Sequence, residues 1–193
     1  MAAADVRRSS ELQAGMMIKN AERPPGHLEV IPAAPEQEPI LANLLELYVH
    51  DFSEFHEVEL GQDGRFGYRN LPLYWRDPER HPFLVMLDGK PAGFVLVKQG
   101  SEISGDASIW DVADFFVVRG HRRRGIGTEI AYGVWRRFPG RWEVRVMDSN
   151  HAGRRFWERA IAGFTGGGAV RETRFEKGGE LWHLFSFESA RAR

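Results

Sequence analysis

The segment from Asp114 to Thr128 (DFFVVRGHRRRGIGT) holds the residue types most able to do chemistry. An apolar strand pattern runs into a loop of glycine and arginine, and that loop opens a helix. The first turn of a helix carries free N–H groups and a partial positive charge, so it holds phosphate. Glycines at 125 and 127 let ligand oxygens approach the backbone, and the arginines add charge. Three phosphate-binding patterns compete. A Walker A loop needs G-x-x-x-x-G-K-[ST]; Gly120 and Gly125 fit, but Ile126 and Gly127 replace the lysine and the hydroxyl residue. A dinucleotide fingerprint needs a third glycine at position 130, which is Ile130. The pattern R-x-x-G-x-G is met by Arg122, Gly125 and Gly127.

Asp114 is the candidate general base. Strand alternation places Trp110, Val112, Asp114 and Phe116 on one face, and Asp111, Ala113, Phe115 and Val117 on the other, unless a bulge intervenes. A carboxylate among large apolar neighbours has its pKa raised by burial and can be poised to take a proton. The competing explanation is a structural aspartate bonded to backbone or to an arginine such as Arg145. Asp111 and Glu54 are rivals for the base role. His121 and His151 flank the loop and suit a solvated or phosphate-near position better than catalysis. Tyr48, His50, Asp51 and Glu54 form an acidic, aromatic group late in a helix. It fits a cationic ligand or a solvated helix end.

The overall charge of −1 hides a steep asymmetry. Residues 119–155 contain ten arginines, no lysine and three acids, a surplus of seven positive charges, so the remainder is strongly acidic. A basic face on an acidic body implies an anionic ligand, and arginine favours forked bonding to phosphate or carboxylate. Single-strand nucleic-acid binding is disfavoured, because interleaved aromatics are missing from that window. The chain has no cysteine, which excludes disulfides, thiolate metal sites and a cysteine nucleophile. No His and carboxylate set has metal spacing, so no metal is expected. No apolar run is long enough to span a membrane, and residues 1–27 lack an apolar leader core. A reducing, cytoplasmic setting is the default expectation.

The elements that must position these residues follow from periodicity. Residues 1–27 are expected to be a flexible arm, 28–188 the domain and 189–193 a tail. Leu28–Ile31 reads as a strand, and Pro35 opens a helix with Ile40, Leu44, Leu47 and Tyr48 at helical spacing. Residues 56–81 read as a long irregular segment, whose Phe66, Tyr68, Tyr74 and Trp75 argue for burial. Phe83–Leu87 and Ala92–Val97 form a hairpin about Asp88-Gly89-Lys90. Trp110–Val118 is a strand, and Ile126, Ile130, Val134 and Phe138 mark a helix. Trp142–Met147 is a strand and 152–162 a helix. Strands follow at 169–176 and 181–187. The order predicts an α/β fold with a mixed, twisted sheet of six to seven strands and about four flanking helices.

In this context the R-x-x-G-x-G loop resembles the acyl-CoA pyrophosphate loop of the GNAT acetyltransferase superfamily. Val117 stands five residues before Arg122, as in that family. A strand, Asn150 and a helix ending in Gly163-Phe164 follow in the family's order. The resemblance implies acetyl-CoA as cosubstrate and an amine as acceptor, with direct transfer and no covalent enzyme intermediate. It implies that the main chain of Phe116, Val117 and Val118 pairs with the pantetheine. Arg122, Arg123, Arg124, Gly125, Ile126, Gly127 and Thr128 would hold the pyrophosphate, and Asn150 would touch the pantetheine arm. The strand bearing Asp114 and the next one would part to admit the thioester. Many members carry a tyrosine seven residues after the asparagine, as proton donor to the leaving thiolate. Here that position is Trp157, expected to contact the cosubstrate, whose indole N–H can donate a hydrogen bond but cannot act as an acid at neutral pH. A CoA-binding protein without catalysis is therefore the alternative reading. The expected assembly is a monomer or homodimer.

Overall fold

The computed structural model describes residues 26–190. The arm expected over 1–27 thus lies almost wholly outside the described residues. His27 belongs with the domain: its N–H donates to Asp88 Oδ1, and its carbonyl accepts from the Asp88 N–H.

Seven strands form one sheet in the order β1-β2-β3-β4-β5-β7-β6. They are β1 (Leu28–Pro32), β2 (Arg80–Leu87), β3 (Lys90–Gln99), β4 (Trp110–Val117), β5 (Gly140–Met147), β6 (Arg171–Lys177) and β7 (Glu180–Ser189). β7 runs through Ser189, whose hydroxyl donates to the Trp135 carbonyl, so the tail begins later than expected. Among the described residues three α-helices flank the sheet: α1 (Glu38–Phe52), α2 (Ile126–Arg137) and α3 (His151–Thr165). Single 3-10 turns lie at Pro35–Gln37, Leu71–Trp75 and Arg119–His121. Pro35 therefore opens a 3-10 turn that continues into α1. β2 starts at Arg80, before the apolar run at Phe83, because Arg80 and His81 pair with Lys98 and Val97 of β3; the Pro82 carbonyl accepts from the Ala33 N–H.

Local chemistry explains the connections. Asp88 and Gly89 both have positive φ, 51° and 72°, the geometry that closes a two-residue hairpin between β2 and β3. α2 is the crossover from β4 to β5, the one parallel neighbour pair of the sheet. α3 is capped by Asn150, whose Oδ1 accepts from the Gly153 N–H at 2.8 Å.

The sheet separates two apolar layers. On one face α2 and α3 bring Ile130, Val134, Trp135, Trp157 and Ile161 against Val95, Val112, Val144 and Phe185. On the other, α1 and the 71–75 turn bring Leu41, Leu44, Leu45 and Tyr74 against Leu84, Phe94, Leu96 and Phe116.

The decisive irregularity lies in β4. Leu96 pairs with Asp114, yet the next residue of β3, Val97, pairs with Val112, which leaves Ala113 as a bulge. A bulge inserts one residue and resets the alternation. Strict parity over β4 is therefore corrected. Val112 and Phe115 pack on the α2/α3 face, whereas Ala113 and Phe116 pack on the α1 face. Asp114 turns to the α1 face too, where it meets Tyr68. Just past the bulge, β3 comes so close that a Cβ on Gly93 would stand 2.1 Å from the Phe116 carbonyl oxygen.

β4 and β5 pair only at Trp110↔Trp142, Asp111↔Glu143 and Val112↔Val144. Beyond the bulge they part, and the main chain from Asp114 onward has no β5 partner.

Candidate active site

The parting of β4 and β5 ends at the first turn of α2. Arg123 and Gly125 hold positive φ, 63° and 79°, and turn the chain into the helix. Gly125 is the helix N-cap, and its carbonyl already receives Thr128 and Glu129. The N–H groups of Gly125, Ile126 and Gly127 precede the first helical bond and are free to meet an anion. The Ile126 side chain is buried under α2, while Gly127 and Thr128 are half-buried. A Cβ on Gly127 would lie 3.1 Å from the Phe156 ring, so this glycine also lets α2 approach α3.

Five of the ten arginines in residues 119–155 are ion-paired. Arg141 pairs with Asp106, Arg145 with Asp111 and Glu102, and Arg154 with Glu158 and Glu172. Arg136 lies over the Tyr132 and Phe164 rings, and Arg137 over Phe83. Arg119 and Arg122 both grip Asp51 of α1. Arg122 also donates from Nε to the Val117 carbonyl at 2.6 Å and lies over the Phe116 ring. Its guanidinium is thus engaged by the protein body. Arg123 and Arg124 are exposed at the entry to α2.

On the α1 face, Asp114 is half-buried beneath tyrosines. The Tyr68 hydroxyl donates to Asp114 Oδ2 at 2.5 Å, and the Tyr48 hydroxyl is a second partner of the same carboxylate. Burial pushes the Asp114 carboxyl above the usual range; the two tyrosines, and the charges of Arg145 and Lys98, oppose that rise without cancelling it. Burial and the Asp114 charge also hold Tyr68 protonated far above the ordinary phenol range, so it stays a donor. Tyr68 is delivered by the long segment after α1. That segment is fastened where Glu46 accepts from the Phe66 and Gly67 N–H groups, at 2.8 and 3.0 Å.

The rivals of Asp114 separate from it. Asp111 is fully buried and bonded to Arg145 Nη2 at 2.7 Å, with Lys98 3.6 Å away. Burial lifts its carboxyl to about 6, against the pull of Arg145 and Lys98. It anchors a charged layer with Glu102, which accepts from Lys98, Lys177 and Arg145. Arg145 therefore bonds Asp111 and not Asp114, as one explanation of Asp114 had required. Glu54 is exposed beyond α1, and His151 is exposed in the first turn of α3.

Trp157 lies largely within the α2/α3 layer. It is buried between Phe115, Phe156 and Trp135, with ring centroids 5.0, 4.7 and 6.2 Å away. Asn150 stands at the end of β5, with its carbonyl oxygen committed to the α3 cap and its amide N–H2 still available to donate.

Sequence reasoning singled out Asp114 and the loop but assigned Tyr68 no role in the site. The signal was there: a tyrosine inside a long, aromatic, irregular segment must be buried somewhere. A second unforeseen cluster lies around His183 of β7. It is fully buried, with Nδ1 2.6 Å from Glu172 and Nε2 2.6 Å from Asp148. Among the described residues, no group of three or more His, Cys, Asp or Glu could hold a metal ion. No described helix is long and apolar enough to cross a membrane.

The family model described as Acetyltransferase (GNAT) family matches residues 41–164. No curated protein matches the sequence. Solved structures share the fold. An acetyltransferase from Thermus thermophilus has a TM-score of 0.61 at 19% identity, over 83% of this chain and 96% of its own. The aminoglycoside acetyltransferase AAC(6')-Ib, solved with coenzyme A, has a TM-score of 0.62 at 13% identity, over 84% and 95%. The protein yncA of Salmonella typhimurium, solved with acetyl-CoA, has a TM-score of 0.57 at 12% identity, over 86% and 95%.

Proposed function

Because this chain belongs to the GNAT family of acetyltransferases, with acetyl-CoA as cosubstrate, we propose that it acetylates a primary amine of a small molecule or peptide by direct transfer. The observation that carries this reading is the parting of β4 and β5 directly beside Asp114. A carboxylate with a raised pKa lies where the strands open and where an acceptor could approach from the α1 face.

The residues divide the work as follows. The N–H groups at the start of α2 and the exposed Arg123 and Arg124 receive the pyrophosphate and 3′-phosphate. The main chain between Phe116 and Val118 has no β5 partner and would meet the pantetheine amides on that side, though the Val117 carbonyl is already held by Arg122 and the Val118 N–H by the Ala92 carbonyl; Asn150 is available to the pantetheine arm. Holding both reactants in one cleft lowers the entropic part of the barrier. Asp114 accepts the proton that the acceptor ammonium must lose before its nitrogen can attack. Tyr48 and Tyr68 fix the carboxylate and keep it from being neutral too readily. An amine acceptor also fits the charge of the wall. Of the six acids in residues 46–63, Glu46 and Asp51 are paired with Arg65 and with Arg119 and Arg122, while Glu54, Glu57, Glu59 and Asp63 are exposed. Trp157 supplies no proton, so the leaving thiolate draws on water or departs unprotonated. The cytoplasmic setting and a monomeric or homodimeric state remain part of the proposal, with no nucleic-acid or membrane partner.

The burial of Trp157 at the usual tyrosine position favours a second reading, a CoA-binding protein without turnover. Release of free CoA across a panel of primary amines separates the two. Turnover with any amine, falling roughly 10²-fold or more in Asp114→Asn with CoA affinity retained, supports the enzyme. Tight CoA binding with no release above the water background supports the binding protein.

A further inference from the structure

We infer that Asp51 is a positioning residue for acetyl-CoA, fastening the pyrophosphate loop to the last turn of α1. The inference rests on the assignment of that loop to the cosubstrate. Asp51 stands one residue from the end of α1. Carbonyl ends give that turn a partial negative charge, so a carboxylate there is unfavourable on its own. What offsets this is external. Arg119 approaches Oδ1 with Nε at 2.9 Å and Nη2 at 2.8 Å, and Arg122 Nη2 reaches Oδ2 at 2.5 Å. Burial alone would raise the carboxyl; the two guanidiniums hold it below its ordinary range.

The contact acts on the loop because of what lies between the two arginines. Arg119–His121 is a single 3-10 turn, and Arg122 ends it. Asp51 therefore pins both ends of that turn. Arg122 is fixed from two more sides, by the Val117 carbonyl and the Phe116 ring. The next residues are Arg123 and Gly125 with their positive φ, then the free N–H groups of α2. Where those N–H groups point depends on where the pinned turn sits. Tyr48 lies one turn back on the same side of α1 and faces the Asp114 carboxylate; burial and the charge of that carboxylate keep its hydroxyl protonated. One turn of helix thus touches the cosubstrate loop through Asp51 and the acceptor side through Tyr48.

Two opposite consequences are conceivable for such a carboxylate. It either preorganises the loop, or it competes with phosphate for the guanidiniums. The geometry points to the first, since Arg122 would stay bound to Val117 and Phe116 after Asp51 is removed.

The test needs no acceptor. CoA affinity is measured by calorimetry on the full chain, well below each variant's melting temperature. The proteins are wild type, Asp51→Asn, Asp51→Glu, Arg119→Gln and the Asp51→Asn/Arg119→Gln pair. The expected result is a loss on the order of tenfold in Asp51→Asn, the scale of ordinary coupling between sites. Asp51→Glu keeps the charge and should recover part of it. The double variant should be no weaker than Asp51→Asn, because both changes remove one anchor. Unchanged affinity in a folded Asp51→Asn protein overturns the inference and leaves the carboxylate a brace of the fold. Tighter binding overturns it in favour of competition. If Asp51→Asn does not fold, Arg119→Gln is judged by the same two outcomes. A wild-type chain that fails to bind CoA refutes the loop assignment itself, and Asp51 with it.

Discussion

Tyr68 offers the sharpest probe of Asp114, because its hydroxyl can be removed without altering the ring. That hydroxyl stabilises the ionised carboxylate against the burial that raises its pKa. In Tyr68→Phe the pKa should climb further. A base works only when deprotonated, so activity falls as pH drops through its folded pKa. The acidic limb of the pH–rate profile should therefore lie at higher pH in Tyr68→Phe than in wild type, with turnover recovering at alkaline pH. Asp114→Asn should lack the limb altogether. A limb that stays in place in Tyr68→Phe would show that another group sets it. The arginines invite a second comparison. Arg123→Ala or Arg124→Ala should weaken CoA by about 1–3 kcal/mol if the side chain makes a charge-assisted bond. A smaller loss with dephospho-CoA would place it at the 3′-phosphate. Equal losses would place it at the pyrophosphate. The pattern R-x-x-G-x-G was legible in the sequence, but not which way its arginines turn. Arg122 faces inward because Asp51, 71 residues earlier, waits there. Tyr68 was equally hidden, since 46 residues and no periodic pattern separate it from Asp114.

Elements were easier to read than contacts, because hydrophobic period and turn residues act locally. The hairpin about Asp88-Gly89, the strand bearing Asp114 and the helix after Gly125 stand close to where their patterns put them. The bulge at Ala113 had no local signature. It arises from registry with β3, and it decides which face Asp114 serves. Element packing also changes what a glycine substitution reports. A valine at 127 would push against Phe156 at the contact of α2 and α3, and such overpacking typically costs about 1–3 kcal/mol. Gly127→Val should lower the melting temperature as well as weaken CoA. An unchanged melting temperature would mean that Phe156 swings aside. The charged layer beneath β4 and β5 supplies a pH test. Bonds from Lys98 and Lys177 depress the Glu102 carboxyl, so its contribution is present above the unfolded pKa and is lost as pH falls through the folded one. Between about pH 5 and pH 3, wild type should lose stability more steeply than Glu102→Gln. Parallel unfolding curves would show that the partners of Glu102 relax into solvent.

At the scale of the whole molecule, the sheet is two half-sheets sharing a short seam. Four strands lie on one side and three on the other, and three residue pairs join them before β4 and β5 diverge. The family's order of elements made the parting expected; its starting point, at the bulge, was not legible. An edge strand normally lies at the rim of a sheet, but here two edges face each other in the middle. On the proposed reading a ligand with amide groups lies between them as an inserted strand, and CoA would be as much a structural component as a reactant. Saturation at 100 times its Kd should add about 2.7 kcal/mol to unfolding stability by mass action alone. The gain should also be local. Alternation turns the amides of Phe115, Val117, Arg145 and Met147 toward the parting, whereas the Val118 and Asp148 N–H groups donate to the Ala92 and Leu181 carbonyls. The first four should exchange faster than the amides of β2 and β3 in the free protein, and slow selectively when CoA is added. Uniform slowing across the chain would mean that the seam is already closed. With its central edges unfilled, the free chain presents a strand-pairing template to any extended peptide nearby. Loss of cosubstrate should therefore raise its tendency to self-associate, and adding CoA should reverse it.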